Sequence, residues 1–109
     1  GEGGGDLPSY EFRFETAKLV MELEEDCRAA VDILDGLLEE SDGNLDVWFL
    51  LVLCYQGMGD LDEAKGCLDH VEQATSGFPE DSAERQSLQV LRSDLDRIAK
   101  EMQEQQQQQ

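Results

Sequence analysis

The sequence predicts an all-α fold in which two helical hairpins precede a C-terminal helix. Apolar residues recur at spacings of three and four along most of the 109 residues, and glycine or proline separates successive apolar runs. Apolar residues at those spacings lie on one face of an α-helix. We expect five helices, near residues 8–23, 26–40, 45–58, 61–75 and 80–103.

The first two helices are predicted by comparison with the third and fourth. At a period of 35 residues, Ala29 is equivalent to Ala64 and Ile33 to Leu68, whereas Arg13 takes the position of Trp48. Similarity at a fixed period of this length is the signature of repeated helical units. The upstream unit is therefore expected to be a hairpin like the downstream one.

The third and fourth helices carry the clearest pattern. Trp48, Leu51 and Tyr55 share one helical face, and Ala64 and Leu68 face them from the next helix. Residues of these types at these intervals resemble the tetratricopeptide repeat. The resemblance implies a fragment of an α-solenoid that binds proteins and is not an enzyme. The period exceeds the roughly 34 residues typical of this repeat, which predicts a slightly longer loop between the hairpins.

The turn of the second hairpin has its own signals. Gly57 and Gly59 are expected to end the third helix, and Asp60 is placed to cap the fourth, with Glu63 three residues later. An N-cap residue followed at that distance by glutamate resembles a capping box. The fourth helix should therefore begin directly after Asp60.

A single apolar stripe defines the last helix. It follows Pro79 and consists of Leu88, Leu91, Leu95, Ile98 and Met102. The stripe covers about two to three heptads, at or below the three or four that indicate a coiled coil. We interpret the helix as a cap on the end of the solenoid and keep the coiled coil as the alternative.

The domain organisation follows from these patterns. We expect a Gly-rich acidic linker at residues 1–7, a tetratricopeptide-like repeat at 8–41, a second repeat at 44–76, the capping helix at 80–103 and a Gln-rich tail without stable structure at 104–109. Stable arrays generally contain three or more repeats. We therefore expect a longer parent protein, and contact with another chain through the face that carries Tyr10, Phe12 and Leu19.

Charge narrows the choice of partners. The formal net charge is −18, and residues 1–81 hold 21 acidic and 4 basic side chains, against 5 and 4 in residues 82–109. Such a surplus repels nucleic-acid phosphates and anionic lipids, and no apolar segment approaches the roughly 20 residues that span a bilayer. Acidity concentrated on the hairpins favours a basic protein partner. The alternative is a solvated surface that aids solubility.

The resemblance to tetratricopeptide repeats implies that the first helix of each hairpin lines a concave groove. Phe14 and Phe49 are equivalent at the 35-residue period and would be its apolar anchors, unless they pack into the core instead. The predicted client-binding residues are Glu11, Phe14, Glu15, Lys18, Met21, Asp46, Phe49, Leu53 and Gln56.

Other candidate sites are weak. Asp42, Asn44 and Asp46 imitate the start of a calcium loop, but its glycine and closing glutamate are missing. The three cysteines have no metal-site spacing and are expected to be reduced, apolar fillers. His70, the only histidine, is expected on the surface without a nucleophile beside it. We expect no catalytic residue, metal or cofactor.

Three stretches show a second resemblance, to a narrower group of proteins than the repeat family. They are residues 9–19, residues 47–51 and the entry to the last helix at 79–81. They resemble the C-terminal part of the dedicated assembly chaperones of large-subunit ribosomal protein four. That resemblance implies an acidic holdase that takes part in ribosome biogenesis and escorts a basic nascent protein from the cytoplasm into the nucleus. The competing interpretation is a structural scaffold that assembles complexes without a basic client.

Overall fold

The computed structural model describes residues 8–23 and 27–107. Within these ranges the chain is helical without any strand, which confirms the all-α prediction. The predicted linker at 1–7 and the last two residues of the predicted tail lie outside the described residues. The helices are α1 (Tyr10–Leu23), α2 (Arg28–Glu40), α3 (Leu45–Met58), α4 (Leu61–Ala74) and α5 (Ala83–Gln107).

The helices form two layers. Each packs against the next along the chain, so that α1 with α2 and α3 with α4 form the two expected hairpins. In addition, α3 contacts both α1 and α5. The first helices of the hairpins and α5 therefore lie side by side in one layer, with α2 and α4 in the other.

The core lies between these layers and has small residues at equivalent positions of the two hairpins. Ala17 and Val52 are fully buried in the first helices, and Ala30 and Ala64 are fully buried in the second. Small side chains let paired helices approach closely, so the larger apolar side chains on either side can fill the interior without voids. The largest of these buried side chains are Leu34, Leu37, Leu51 and Leu68.

The register predicted for α2 is wrong by one residue. Ala29 is exposed and Ile33 half-buried, whereas Ala30 and Leu34 are completely buried. Ala30 is thus the equivalent of Ala64, at the period typical of the repeat. The additional residue lies within the first hairpin, between its two buried small residues, and not in the loop between the hairpins.

Gly59 makes the turn from α3 to α4. Its φ of 80° is left-handed, and its N–H donates to Gln56 O at 3.1 Å while Asp60 N–H donates to Tyr55 O at 2.9 Å. The carboxylate of Asp60 then accepts from Glu63 N at 3.3 Å, as the capping signal predicts. Gly57, in contrast, lies inside the last turn of α3 and does not end it.

α5 begins and ends later than predicted. Pro79 accepts a turn hydrogen bond from Ser82 N at 3.0 Å, and the hydroxyl of Ser82 accepts from Arg85 N at 3.2 Å, so the helix starts at Ala83. It continues to Gln107, so at least residues 104–107 of the expected unstructured tail are helical. Glutamine has a good helix propensity and extends a helix that is already nucleated.

Gly57, inside α3, and Gly59, just after it, provide a matched test of this turn. Gly59→Ala should destabilise the protein by about 1–2 kcal/mol, because a side chain is strained at positive φ. Gly57→Ala should stabilise it by about 0.5–1 kcal/mol, because alanine is favoured inside a helix and no neighbour blocks it. Urea denaturation followed by circular dichroism measures both. Equal effects of the two substitutions would contradict the assigned turn.

Candidate functional site

An open groove lies between α3 and α5. Its cavity volume is about 610 Å³. The residues that line it are Asp46, Phe49 and Leu53 of α3, together with Ala83, Gln86, Ser87, Val90 and Leu91 of α5. Three of the nine predicted client-binding residues therefore share one surface.

The groove is apolar with a carboxylate at one end. Leu53 is 43% exposed and Val90 is 60% exposed, although both are large apolar residues. Phe49 is half-buried: it lines the groove and also packs against the core. Asp46 lies in the exposed first turn of α3, where its backbone N–H donates to the Asn44 side chain at 3.0 Å. The arrangement offers apolar contact and one negative charge.

A charged contact holds the α5 wall of the groove against α4. Arg92 donates to Asp69 Oδ1 at 2.8 Å and to Glu72 Oε1 at 2.5 Å, which joins the two helices along their length. The hydrogen bond to Asp69 is the main reason that the pKa of Arg92 is raised. Leu88 and Leu95 add buried apolar contact on the same helix. The position of α5, and with it the groove, depends on both interactions.

The α1 members of the predicted set lie outside the α3–α5 groove. Phe14 is half-buried, with Lys18 Nζ 5.2 Å from the centre of its ring. Lys18 also pairs with the exposed Glu15 at 3.2 Å. Glu11 is exposed and Met21 is half-buried. These residues form a separate surface on α1 in which a cation already occupies the aromatic face.

Sequence reasoning missed the α5 side of the groove. It treated α5 as a helix with one apolar stripe, but Ala83, Ser87 and Val90 lie at intervals of four and three on a second face. Small residues followed by an apolar one at helical spacing were the available signal. Gln56, which was predicted for the groove, is half-buried on α3 and does not line this cavity.

In the first hairpin, Arg13 occupies the position that Trp48 has in the second, and it forms an ion pair where Trp48 makes an aromatic contact. Its guanidinium forms a bidentate pair with Glu40, with Nη2 2.9 Å from Oε1, and so joins α1 to α2. At the equivalent position, Trp48 joins α3 to α4 by stacking on His70, with ring centres 3.9 Å apart. His70 is therefore half-buried rather than the solvated surface side chain that the sequence predicted.

The buried thiols and the acidic side chains were the other candidate sites among the described residues. Burial raises the pKa of Cys54 to about 12 and that of Cys67 to about 11, so both thiols stay protonated. Among residues 8–23 and 27–107, no group of three or more His, Cys, Asp or Glu side chains is placed to hold a metal ion. None of the helices there is long and apolar enough to cross a membrane.

A family model described as tetratricopeptide repeat matches residues 23–89, which include α2, α3, α4 and the start of α5. The chain belongs to the tetratricopeptide repeat family. No curated protein and no solved structure matches it. Tetratricopeptide repeats are modules for protein–protein interaction, so this chain binds a protein partner. The groove between α3 and α5 is a concave surface of the described part that combines exposed apolar side chains with a rim charge.

The Arg13–Glu40 pair predicts a pH-dependent contribution to stability. The guanidinium lowers the pKa of Glu40 below its usual 4.5, because it hydrogen-bonds the ionised carboxylate. The pair therefore stabilises the fold above the unfolded pKa, and this stability is lost as pH falls through the folded pKa. Glu40→Gln should lower the melting temperature at pH 7, and the difference from the unsubstituted protein should shrink as the pH falls through the lowered pKa of Glu40.

The neighbouring Glu39→Gln is the control for removal of a charge, since that side chain is exposed, forms none of the salt bridges of the described residues and repels Asp35, so its loss should not lower the melting temperature at pH 7. Thermal denaturation of both variants from pH 3 to pH 7 measures the effect. A loss of stability in Glu40→Gln that persists unchanged at pH 3 would contradict the account.

Proposed function

We propose that this tetratricopeptide repeat module belongs to an acidic holdase chaperone and binds a basic, extended segment of its client in the groove between α3 and α5. The observation that carries the proposal is the groove itself. Leu53 and Val90 are exposed there beside Phe49, with Asp46 at the rim, in a chain of net charge −18. An extended segment that alternates apolar and basic side chains matches both properties.

The apolar residues would supply most of the affinity. Full burial of a phenylalanine or leucine side chain contributes about 1.5–3 kcal/mol, and a few such anchors dominate most interfaces. Lysine and arginine can add contact through their aliphatic stems while their charged ends reach a carboxylate. Asp46 is placed to receive such an end at the N-terminus of α3.

The layer formed by α2 and α4, called here the outer layer, would attract a cationic partner at long range. Within the described residues, this layer contains more carboxylates than the first helices, α1 and α3, do. They are Asp32, Asp35, Glu39 and Glu40 on α2 and Asp62, Glu63, Asp69 and Glu72 on α4. Partial desolvation, followed by the charges of Asp32, Glu39 and Glu63, raises the pKa of Asp35. A cationic partner relieves such repulsion. A field of one sign also accelerates the encounter with an oppositely charged segment.

The resemblance to the assembly chaperones of large-subunit ribosomal protein four supports a specific client class. We propose a basic nascent ribosomal protein that is held during assembly of the large subunit, in the cytoplasm and the nucleus. Carboxylates that engage its cationic side chains would keep them from binding RNA prematurely. The acidity of the two hairpins suits that role.

The second candidate function is a scaffold that assembles complexes without a basic client. The observation that favours it is the apolar surface of α1, where Phe12, Leu19 and Leu23 are more than half exposed. A scaffold would associate mainly through such apolar faces. Its affinity would then depend little on salt.

The salt dependence of binding separates the two functions. The protein would be titrated by calorimetry with purified large-subunit ribosomal protein four, and with a peptide that alternates lysine or arginine with leucine, at several salt concentrations. The Debye length falls from about 10 Å at 0.1 M to about 3 Å at 1 M. The holdase proposal predicts that the affinity for these basic ligands is at least about tenfold weaker at 0.5 M than at 0.1 M salt. Salt-independent binding would favour the scaffold.

Substitutions in the groove should distinguish residues that supply binding affinity from residues that accelerate association through their charge. Phe49→Ala should weaken binding of the basic peptide by about 10- to 150-fold and leave its salt dependence almost unchanged. Asp46→Asn should mainly slow association and reduce the salt dependence. Stopped-flow fluorescence of a labelled peptide measures both effects.

Val90→Ser is the control for folding, because Val90 lines the groove but is not part of the core. It should weaken binding in the same direction while helicity is retained. If Phe49→Ala unfolds the domain and Val90→Ser binds normally, the groove assignment is wrong.

A further inference from the structure

Two thiols from different hairpins meet beside a cleft between the start of α2 and the end of α3. The cleft has a volume of about 420 Å³ and is lined by Arg28, Val31, Asp32, Tyr55, Met58 and Asp60. Cys27 directly precedes the first of these residues, and Cys54 directly precedes Tyr55. The side chains of Cys27 and Cys54 are in hydrogen-bonding contact. Both thiols are free, so the contact is not covalent in this structure.

The two cysteines differ in their access to solvent. Cys27 is half-buried against the core, whereas Cys54 is completely buried within α3. Burial, followed by the contact with Cys27, raises the pKa of Cys54 to about 12. A thiol without thiolate character reacts slowly with oxidants, so a dissolved oxidant should react first at Cys27.

The third cysteine has different surroundings. Cys67 is buried in α4, and the charged groups that act on it are the carboxylates of Glu63 and Asp35. Its thiol therefore lies beside acids, whereas Cys27 and Cys54 lie beside each other. This difference makes Cys67 an internal control for any chemistry of the pair.

The contact lies where the two hairpins join. α2 packs against α3 there, and Cys27 is the N-cap residue of α2. The side chain of Cys27 makes no capping hydrogen bond. The start of α2 is therefore held by packing, to which the contact with Cys54 contributes. A covalent bond at this point would tie the first turn of α2 to α3.

We propose that Cys27 and Cys54 form a redox-sensitive disulfide that fixes the first hairpin on the second, with hydrogen peroxide as the oxidant. Peroxide transfers one oxygen atom to the Cys27 thiolate, which becomes a sulfenic acid as hydroxide departs. The Cys54 sulfur then attacks the Cys27 sulfur, and the Cys54 proton leaves with the sulfenic hydroxyl as water. The two sulfurs share the two-electron oxidation, and an added dithiol reverses it. The proposal does not depend on what the groove binds.

Mass spectrometry of the intact chain tests the proposal. The reduced protein would be treated with hydrogen peroxide, denatured and alkylated. We expect alkylation at Cys67 alone, and a proteolytic peptide that joins Cys27 to Cys54. The oxidised protein should melt at least about 5 °C higher than the reduced protein, because the bond restricts the unfolded chain. Amide exchange in the first turn of α2 should become slower.

Variants identify the roles of the individual thiols. Cys54→Ala should abolish the cross-link and the rise in melting temperature, and leave a Cys27 sulfenic acid that dimedone traps. Cys67→Ala is the matched control, since it also removes a buried thiol but should retain both effects. If Cys54→Ala does not fold, Cys27→Ala at the half-buried position should likewise abolish the cross-link. Circular dichroism of the reduced variants checks their folding.

Three results would overturn the proposal. They are three alkylated thiols after peroxide treatment that oxidises free cysteine, a disulfide that joins Cys27 residues of two chains, and an intramolecular cross-link without a rise in melting temperature. Non-reducing gel electrophoresis detects the second of these. Each of these results leaves the groove proposal unaffected, because no cysteine lines the groove.

Discussion

The packing of α3 against α4 is the constraint on which the other features depend. Val52 and Ala64 are fully buried, and their small size allows the two helices to bury Leu51, Leu68 and Val71 between them. α4 in turn carries the acidic residues that hold Arg92 of α5. α4 therefore contacts both walls of the groove, because it packs against α3 and against α5. A change at the buried seam should alter the groove without touching any residue that lines it.

Under the proposed function, recognition and attraction would be carried by different layers of the molecule. α3 and α5 present apolar side chains to the groove, whereas many of the carboxylates lie on α2 and α4. Charges in the outer layer act over a Debye length and select the sign of the partner, but they cannot fix its position. Contacts with Phe49 and Leu53 act only at van der Waals distance and fix the position of the partner. Under the proposed function, this separation would let one acidic protein attract many basic segments and retain those with fitting apolar residues.

Most of the fold was predictable because it depends on local pattern. Trp48, Leu51 and Tyr55 identify α3, and Asp60 with Glu63 identifies the start of α4, all through short-range spacing or capping. The register of α2 was not predictable in the same way, since Ala29 and Ala30 are both alanines and only tertiary packing decides which is buried. The α5 wall was missed for a related reason: Val90 lies off the main stripe, and its role appears only when α3 is beside it. The exposed face of α1 was predicted to carry Tyr10, Phe12 and Leu19, because another repeat was expected before it; Phe12 and Leu19 are exposed, whereas Tyr10 is half-buried and packs against the core.

The most direct test of the central claim is to map the surface that a basic segment occupies. Amide and methyl signals of the isotopically labelled protein would be followed by NMR as an extended peptide of alternating basic and apolar residues is added. The account predicts the largest shifts at Asp46, Phe49, Leu53 and Val90, with intermolecular contacts from the apolar side chains of the peptide to the groove. Shifts confined to the carboxylate-bearing faces of α2 and α4, with the groove signals unchanged, would show that binding is only electrostatic and would contradict it.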